Sequence, residues 1–91
     1  MIPVALQKAE SLTRFAAACG VNASQDFQVA LTLGEAYELL DYLAAGGMGQ
    51  FTNHELLKHD IADAKALGDP WLILTSWHLM GLEIVRMESL N

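Results

Sequence analysis

The sequence predicts a mainly α-helical single domain of four helices with one short extended segment. Three observations support this: apolar residues recur at helical spacing, glycines or capping motifs bound these stretches, and 53% of the 91 residues are hydrophobic. A chain of this length is the size of one domain, so residues 1–91 are expected to fold as a unit. The alternative is an α+β fold, in which the segment near residues 26–32 pairs with a C-terminal β-hairpin.

The first predicted helix spans about residues 3–19. Gly20 follows it as a C-terminal stop, because glycine enters the left-handed cap conformation at little cost. Cys19 lies on the apolar stripe of this helix, which is typical of a buried thiol. A single cysteine also excludes a scaffold built on intramolecular disulfides. The stripe consists of Ala5, Ala9, Leu12, Ala16 and Cys19.

Residues 26–32 read DFQVALT and carry the strand signal. Phe27, Val29 and Leu31 alternate with smaller or polar residues, and a period of two is typical of a β-strand. The run is short and a strand needs a partner, so we predict an extended segment that pairs elsewhere in the chain.

Two capping boxes predict the second and third helices. The motif TLGE precedes a helix over residues 33–45, and the motif TNHE precedes one over residues 53–67. The loop AGGMGQF between them contains three glycines. It lacks the lysine of a P-loop and the dinucleotide fingerprint, so we interpret it as a helix connection.

The C-terminal segment is ambiguous. Asp69 as an N-cap and Pro70 at the first helical position predict a fourth helix over residues 70–88, with Gly81 on its packed side. Read as a hairpin, WLILTSW and LEIVRM are rich in β-forming residues. Their turn, Leu-Met-Gly, lacks the usual hairpin chemistry, so we favour the helix.

The charge pattern predicts the kind of partner. Eleven acidic against five basic residues give a formal charge of −6, the opposite of what a nucleic-acid binder needs, so no direct contact with nucleic acid is predicted. No Lys or Arg lies between Arg14 and Lys58. Within that interval Glu35, Glu38 and Asp41 share one side of the second helix, and we interpret them as a face for a basic protein partner. A solvated face that keeps the protein soluble is the alternative.

An apolar excess predicts a second contact surface. In the helical interpretation of residues 70–88, four leucines lie on or beside the polar face and Trp71 joins them at the N-terminal end, which indicates either a wrapped core position or an interface. The leucines are Leu72, Leu79, Leu82 and Leu90. The strip predicted to contact a partner is Trp71, Leu72, Leu79 and Leu82.

Neither a metal site nor a catalytic centre is predicted. His54 and His59 are five residues apart, which does not place two ligands on one side of a helix. His59 lies four residues from Glu55 and from Asp63, but no nucleophile accompanies it and a solvated helix face explains the spacing. We therefore expect no cofactor and no enzymatic activity. The possible metal ligands considered are Cys19, His54, His59 and His78.

These features predict a small acidic, non-enzymatic protein-interaction module, an adaptor or inhibitor of another protein. Its size and charge also suit a phage or mobile-element accessory protein. The alternative is a structural homo-oligomer subunit, such as a homodimer, without a separate target. Because the chain shows neither a signal peptide nor a membrane-spanning segment, we expect a cytoplasmic protein without membrane contact.

Overall fold

The structure is a computed structural model and describes residues 2–46 and 54–87. This part of the chain is mainly helical, as predicted, but it forms five helices and three strands rather than a four-helix domain. In chain order the elements are α1 (Val4–Cys19), α2 (Ala23–Asp26), β1 (Gln28–Leu31), α3 (Leu33–Ala44), α4 (His54–Leu67), α5 (Trp71–Leu74), β2 (His78–Leu79) and β3 (Leu82–Arg86).

The three strands form one sheet in the order β1-β3-β2. β1 pairs with β3 in parallel, with Val29 opposite Ile84, and β2 pairs with β3 in an antiparallel hairpin, with Leu79 opposite Leu82. Parallel strands need a long crossover connection, which here contains α3, α4 and α5. The strand predicted within residues 26–32 is confirmed. It pairs with a C-terminal hairpin, as the α+β alternative predicted.

The predicted helix over residues 70–88 is wrong. The helix that follows Pro70 ends at Leu74, and the chain then forms β2 and β3 around a two-residue turn. Met80 and Gly81 form this turn with φ angles of 53° and 83°. Positive φ at both central positions is typical of a type I′ hairpin turn. The glycine at the second position was the available signal, and methionine in place of the usual asparagine obscured it.

The local signals at the other helix ends are confirmed. Gly20 ends α1 at φ 71°, where the N–H of Val21 donates to the Ala16 carbonyl at 3.0 Å. Thr32 and Glu35 form the complete capping box that begins α3. The third predicted helix is present as α4. Thr52 and Asn53, the first half of the TNHE motif, and most of the AGGMGQF loop lie outside the described residues.

The core lies between the sheet and the helices. Ala5 and Ala9 are fully buried, and these small side chains let α1 approach α3 closely. Cys19 is exposed, which corrects the expectation of a buried thiol, because it lies on the last turn of α1 beyond the part that packs on the core. The larger buried side chains of the core are Val29, Leu31, Leu39, Leu40, Leu43, Ile61, Trp71, Leu74, Leu79, Leu82 and Ile84.

The hairpin turn predicts opposite effects at its two residues. Met80→Asn should raise the free energy of unfolding by up to about 1 kcal/mol, because asparagine tolerates the left-handed conformation better than methionine. Gly81→Ala should lower it by about 1 kcal/mol, because a Cβ atom is strained at this φ. Urea unfolding measures both changes. Equal stability of Gly81→Ala and the wild type would contradict this turn.

Candidate functional site

Glu35, the first residue of the predicted acidic face, is bound within the chain. Its Oε1 atom accepts hydrogen bonds from the Thr32 N–H at 2.9 Å and from Lys8 Nζ at 2.7 Å. Burial by itself raises the pKa of Glu35, but the hydrogen bonds donated by Lys8 and Thr32, with the charge of Lys8, outweigh it. The pKa of Glu35 therefore lies below its ordinary value, and the side chain joins α3 to α1.

Glu38 and Asp41 also make contacts between helices. The N–H of Val4, at the start of α1, donates to Glu38 Oε1 at 2.7 Å. Pro3 supplies no side-chain cap there, so a carboxylate from α3 takes that role beside the positive end of the α1 dipole. Asp41 pairs with Lys65 of α4. The spacing of the three carboxylates therefore has an explanation in tertiary structure, while their contact with a partner stays a prediction.

The predicted apolar strip does not form one exposed surface. Trp71, Leu79 and Leu82 are 9%, 3% and 0% exposed, whereas Leu72 is 59% exposed. Because the segment forms a hairpin rather than one long helix, Leu79 and Leu82 face the core side of the sheet. Of the four residues, Leu72 alone is exposed, and its contact with a partner stays a prediction.

Sequence reasoning missed the edge of β1 that pairs with no other strand of the described residues, here called the open edge. The Leu31 carbonyl accepts a hydrogen bond from the Met87 N–H at 2.9 Å. The backbone groups of Leu31 therefore point toward β3. Since alternate residues of a strand direct these groups to opposite sides, Gln28 and Ala30 present theirs to the open edge. The Ala30 carbonyl accepts from Lys8 Nζ at 3.0 Å. The Ala30 N–H is directed to the same edge by the alternation of the strand.

A groove of about 520 Å³ lies beside this edge, between α1 and β1. Val4, Lys8 and Leu12 line its helical side, and Val29 and Met87 line the side of the sheet. Val4 and Met87 are 39% and 43% exposed, so apolar surface is open to a ligand. Most of the α1 residues that line the groove lie outside the apolar stripe identified from the sequence. Hydropathy alone therefore did not predict the groove.

Other kinds of site receive no support from the described residues. No group of three His, Cys, Asp or Glu side chains there is placed to hold a metal ion. None of the described helices combines the length and apolar character that a membrane span requires. The edge of β1 and its groove therefore form the candidate site.

Comparisons with protein-family models, curated proteins and solved structures gave no significant match to the chain. Its function is therefore inferred from the geometry of this site.

The low pKa of Glu35 predicts a pH-dependent loss of stability. A carboxyl group whose pKa is lowered by folding stabilises the folded state above its unfolded pKa, and this contribution is lost as the pH falls through the folded pKa. Glu35→Gln should therefore be less stable than the wild type at neutral pH, and the difference should shrink below the ordinary value of 4.5. Urea unfolding across this range measures it. A difference that stays constant in acid would contradict the prediction.

The contact between Glu38 and Val4 predicts a graded loss of stability. Glu38→Ala removes the acceptor for the first N–H of α1 and should cost about 1 kcal/mol, the size of an ordinary N-cap contribution. Glu38→Gln keeps a side-chain oxygen and should lose less. Chemical denaturation measures both variants, and hydrogen exchange of the Val4 amide reports the contact directly. Equal stability of the alanine and glutamine variants would contradict it.

Proposed function

We propose that the protein is a non-enzymatic protein-interaction module, an adaptor or inhibitor that holds an extended segment of another protein against β1. The observation that carries this proposal is the open edge at Gln28 and Ala30, beside a groove with apolar walls. Extended peptides bind such edges through main-chain hydrogen bonds, and the adjoining pockets select their side chains.

The groove supplies the side-chain part of this recognition. A strand added beside β1 directs every second side chain toward α1. There the segment meets Val4, Leu12 and Met87, and its apolar side chains remove the exposed surface of Val4 and Met87 from water. The backbone of β1 then gives affinity for an extended segment, and the groove gives preference for apolar residues at alternate positions.

Lys8 controls access to the edge. Its amine donates a hydrogen bond to the Ala30 carbonyl. A lysine at a sheet edge opposes unselective strand pairing. A partner N–H can take this place while Lys8 keeps its ion pair with Glu35. A selective partner therefore replaces one hydrogen bond by another, and the remaining edge groups of β1 gain new partners.

A structural homo-oligomer is the second candidate function, favoured by the same edge. Two copies of β1 can pair about a twofold axis, because such an interface uses the same patch on both subunits. The formal charge of −6 on each copy opposes this association. Sedimentation of the isolated protein distinguishes the two functions, because pairing of copies yields a dimer without a partner.

Replacement of Ala30 by proline should abolish binding at the edge without unfolding the sheet. Proline removes the outward N–H and places its ring on the edge, yet it leaves the ladder to β3, since it is tolerated where the N–H of an edge strand faces solvent. Peptides selected from a random display library against the wild type should bind Ala30→Pro at least about tenfold more weakly, a loss of about 1.4 kcal/mol.

The matched control is Ala30→Ser, which keeps the N–H and should retain binding. Circular dichroism and urea unfolding verify that both variants remain folded. Selected peptides that bind Ala30→Pro as tightly as the wild type would contradict the proposal, as would a library that yields no binders.

A further inference from the structure

We propose that the segment bound at β1 is basic, with lysine or arginine alternating with apolar residues. This inference rests on the proposed function and adds the chemistry of the partner. It is drawn from the carboxylates that surround the groove and from the two faces that an added strand presents.

Carboxylates are bound to residues that line both sides of the groove. Three of the lining residues donate a hydrogen bond to a glutamate, at donor–acceptor distances of 2.7 to 3.0 Å. The pairs are the Val4 N–H with Glu38, Lys8 Nζ with Glu35, and Gln28 Nε2 with Glu83. Carboxylates therefore lie on both sides of the edge of β1: Glu35 and Glu38 beside the helical wall of the groove, and Glu83 on the exposed face of the sheet. Together they are the acidic rim of the site.

Lys8 is the only Lys or Arg among the described residues that line the groove, and it does not make the charge around the groove positive. Lys8 is already paired with Glu35, so its charge is offset locally. Glu38 and Glu83 are both exposed. A carboxylate has about four acceptor positions, so each keeps capacity for a cationic donor from a partner after its contact within the chain.

The two faces of the sheet determine where the cations of the segment lie. Val29 is buried on the face covered by α1, whereas Gln28 is exposed on the opposite face, where its side chain meets Glu83 of β3. An added strand alternates between these faces. Its apolar residues therefore enter the groove, and its long basic residues lie on the exposed face, within reach of Glu83 across Gln28.

Charge complementarity favours this occupant over a second copy of the chain. Each copy carries a formal charge of −6, so a copy brings like charge to the acidic rim, whereas a basic segment brings opposite charge. Complementary charge raises the association rate and excludes partners of the wrong sign. An acidic segment with the same apolar residues is therefore rejected.

Three blocked eight-residue peptides test the inference: one alternates valine with lysine, one valine with glutamate, and one valine with serine. Fluorescence anisotropy with the whole protein should show the tightest binding for the lysine peptide, weaker binding for the serine peptide and none for the glutamate peptide. The affinity of the lysine peptide should fall between about 0.1 M and 1 M salt, where the Debye length shrinks from about 10 Å to 3 Å. It should also fall at least about tenfold in Ala30→Pro, as expected for edge pairing.

Charge variants locate the interaction on the rim. Glu83→Gln and Glu38→Gln should each weaken binding of the lysine peptide by roughly two- to fivefold, the range for exposed charge pairs. Glu38→Gln keeps an oxygen for the Val4 N–H, so α1 retains its cap. Asp63→Asn makes the same change in net charge on α4, which packs on α3 and α5, and should leave binding unchanged.

The outcomes separate this inference from the proposed function. Equal binding of the lysine and glutamate peptides, both lost in Ala30→Pro, would overturn the basic partner and support the edge. Binding of the lysine peptide that survives Ala30→Pro, or that falls equally in Asp63→Asn, would overturn the inference in favour of diffuse attraction to an acidic protein. Failure of all three peptides alongside binding of library-selected peptides would overturn the inference and leave the proposed function standing.

Discussion

The parallel pairing of β1 with β3 is the contact on which both the fold and the candidate site depend. It joins residues far apart in the chain: Gln28 and Glu83, opposite each other in this pair, are 55 positions apart. The crossover between the strands carries α3, α4 and α5, whose buried side chains share one core with those of the sheet. β3 lies between β1 and β2, so β1 is an outer strand, and its other edge pairs with no strand of residues 2–46 and 54–87.

The polar contacts of Lys8 hold α1 beside the edge of β1, and the groove lies between these two elements. Its amine lies between the Ala30 carbonyl and Glu35, so a single side chain joins α1, β1 and α3. Glu35 also completes the capping box with Thr32, which follows β1 directly. One connected group of hydrogen bonds therefore fixes both the start of α3 and the position of α1. Because α1 is held in this position, the groove between α1 and β1 is a defined part of the structure.

Signals confined to a few neighbouring residues were read correctly from the sequence. The glycine after α1, the capping box of α3 and the alternation around Val29 each depend on contacts within one turn or strand. The segment after Pro70 was misread because its apolar residues fit a helix and a strand alike, and long-range pairing with β1 decides between them. A methionine at positive φ in the turn removed the remaining local signal.

The position of the candidate site was not predicted from the sequence, and the partner contact assigned to the acidic residues of α3 stays a prediction. The acidic residues of α3 were recognised from their spacing, yet the groups they bind, including Val4 and Lys65, lie too far along the chain for spacing to reveal. The groove escaped prediction for the same reason, since its two sides come from separate elements and neither is strongly apolar alone.

An open edge beside an acidic rim also resolves a conflict that any small protein with an unpaired strand faces. Unpaired backbone groups attract any extended chain, including another copy of the same protein. Here the formal charge of −6 repels a copy, and Lys8 occupies one of the edge carbonyls. Neither device excludes an extended segment of opposite charge, because such a segment meets favourable charge and supplies a replacement for the hydrogen bond of Lys8. In the proposed function, the features that oppose self-association at the edge are thus the same ones that select the basic segment.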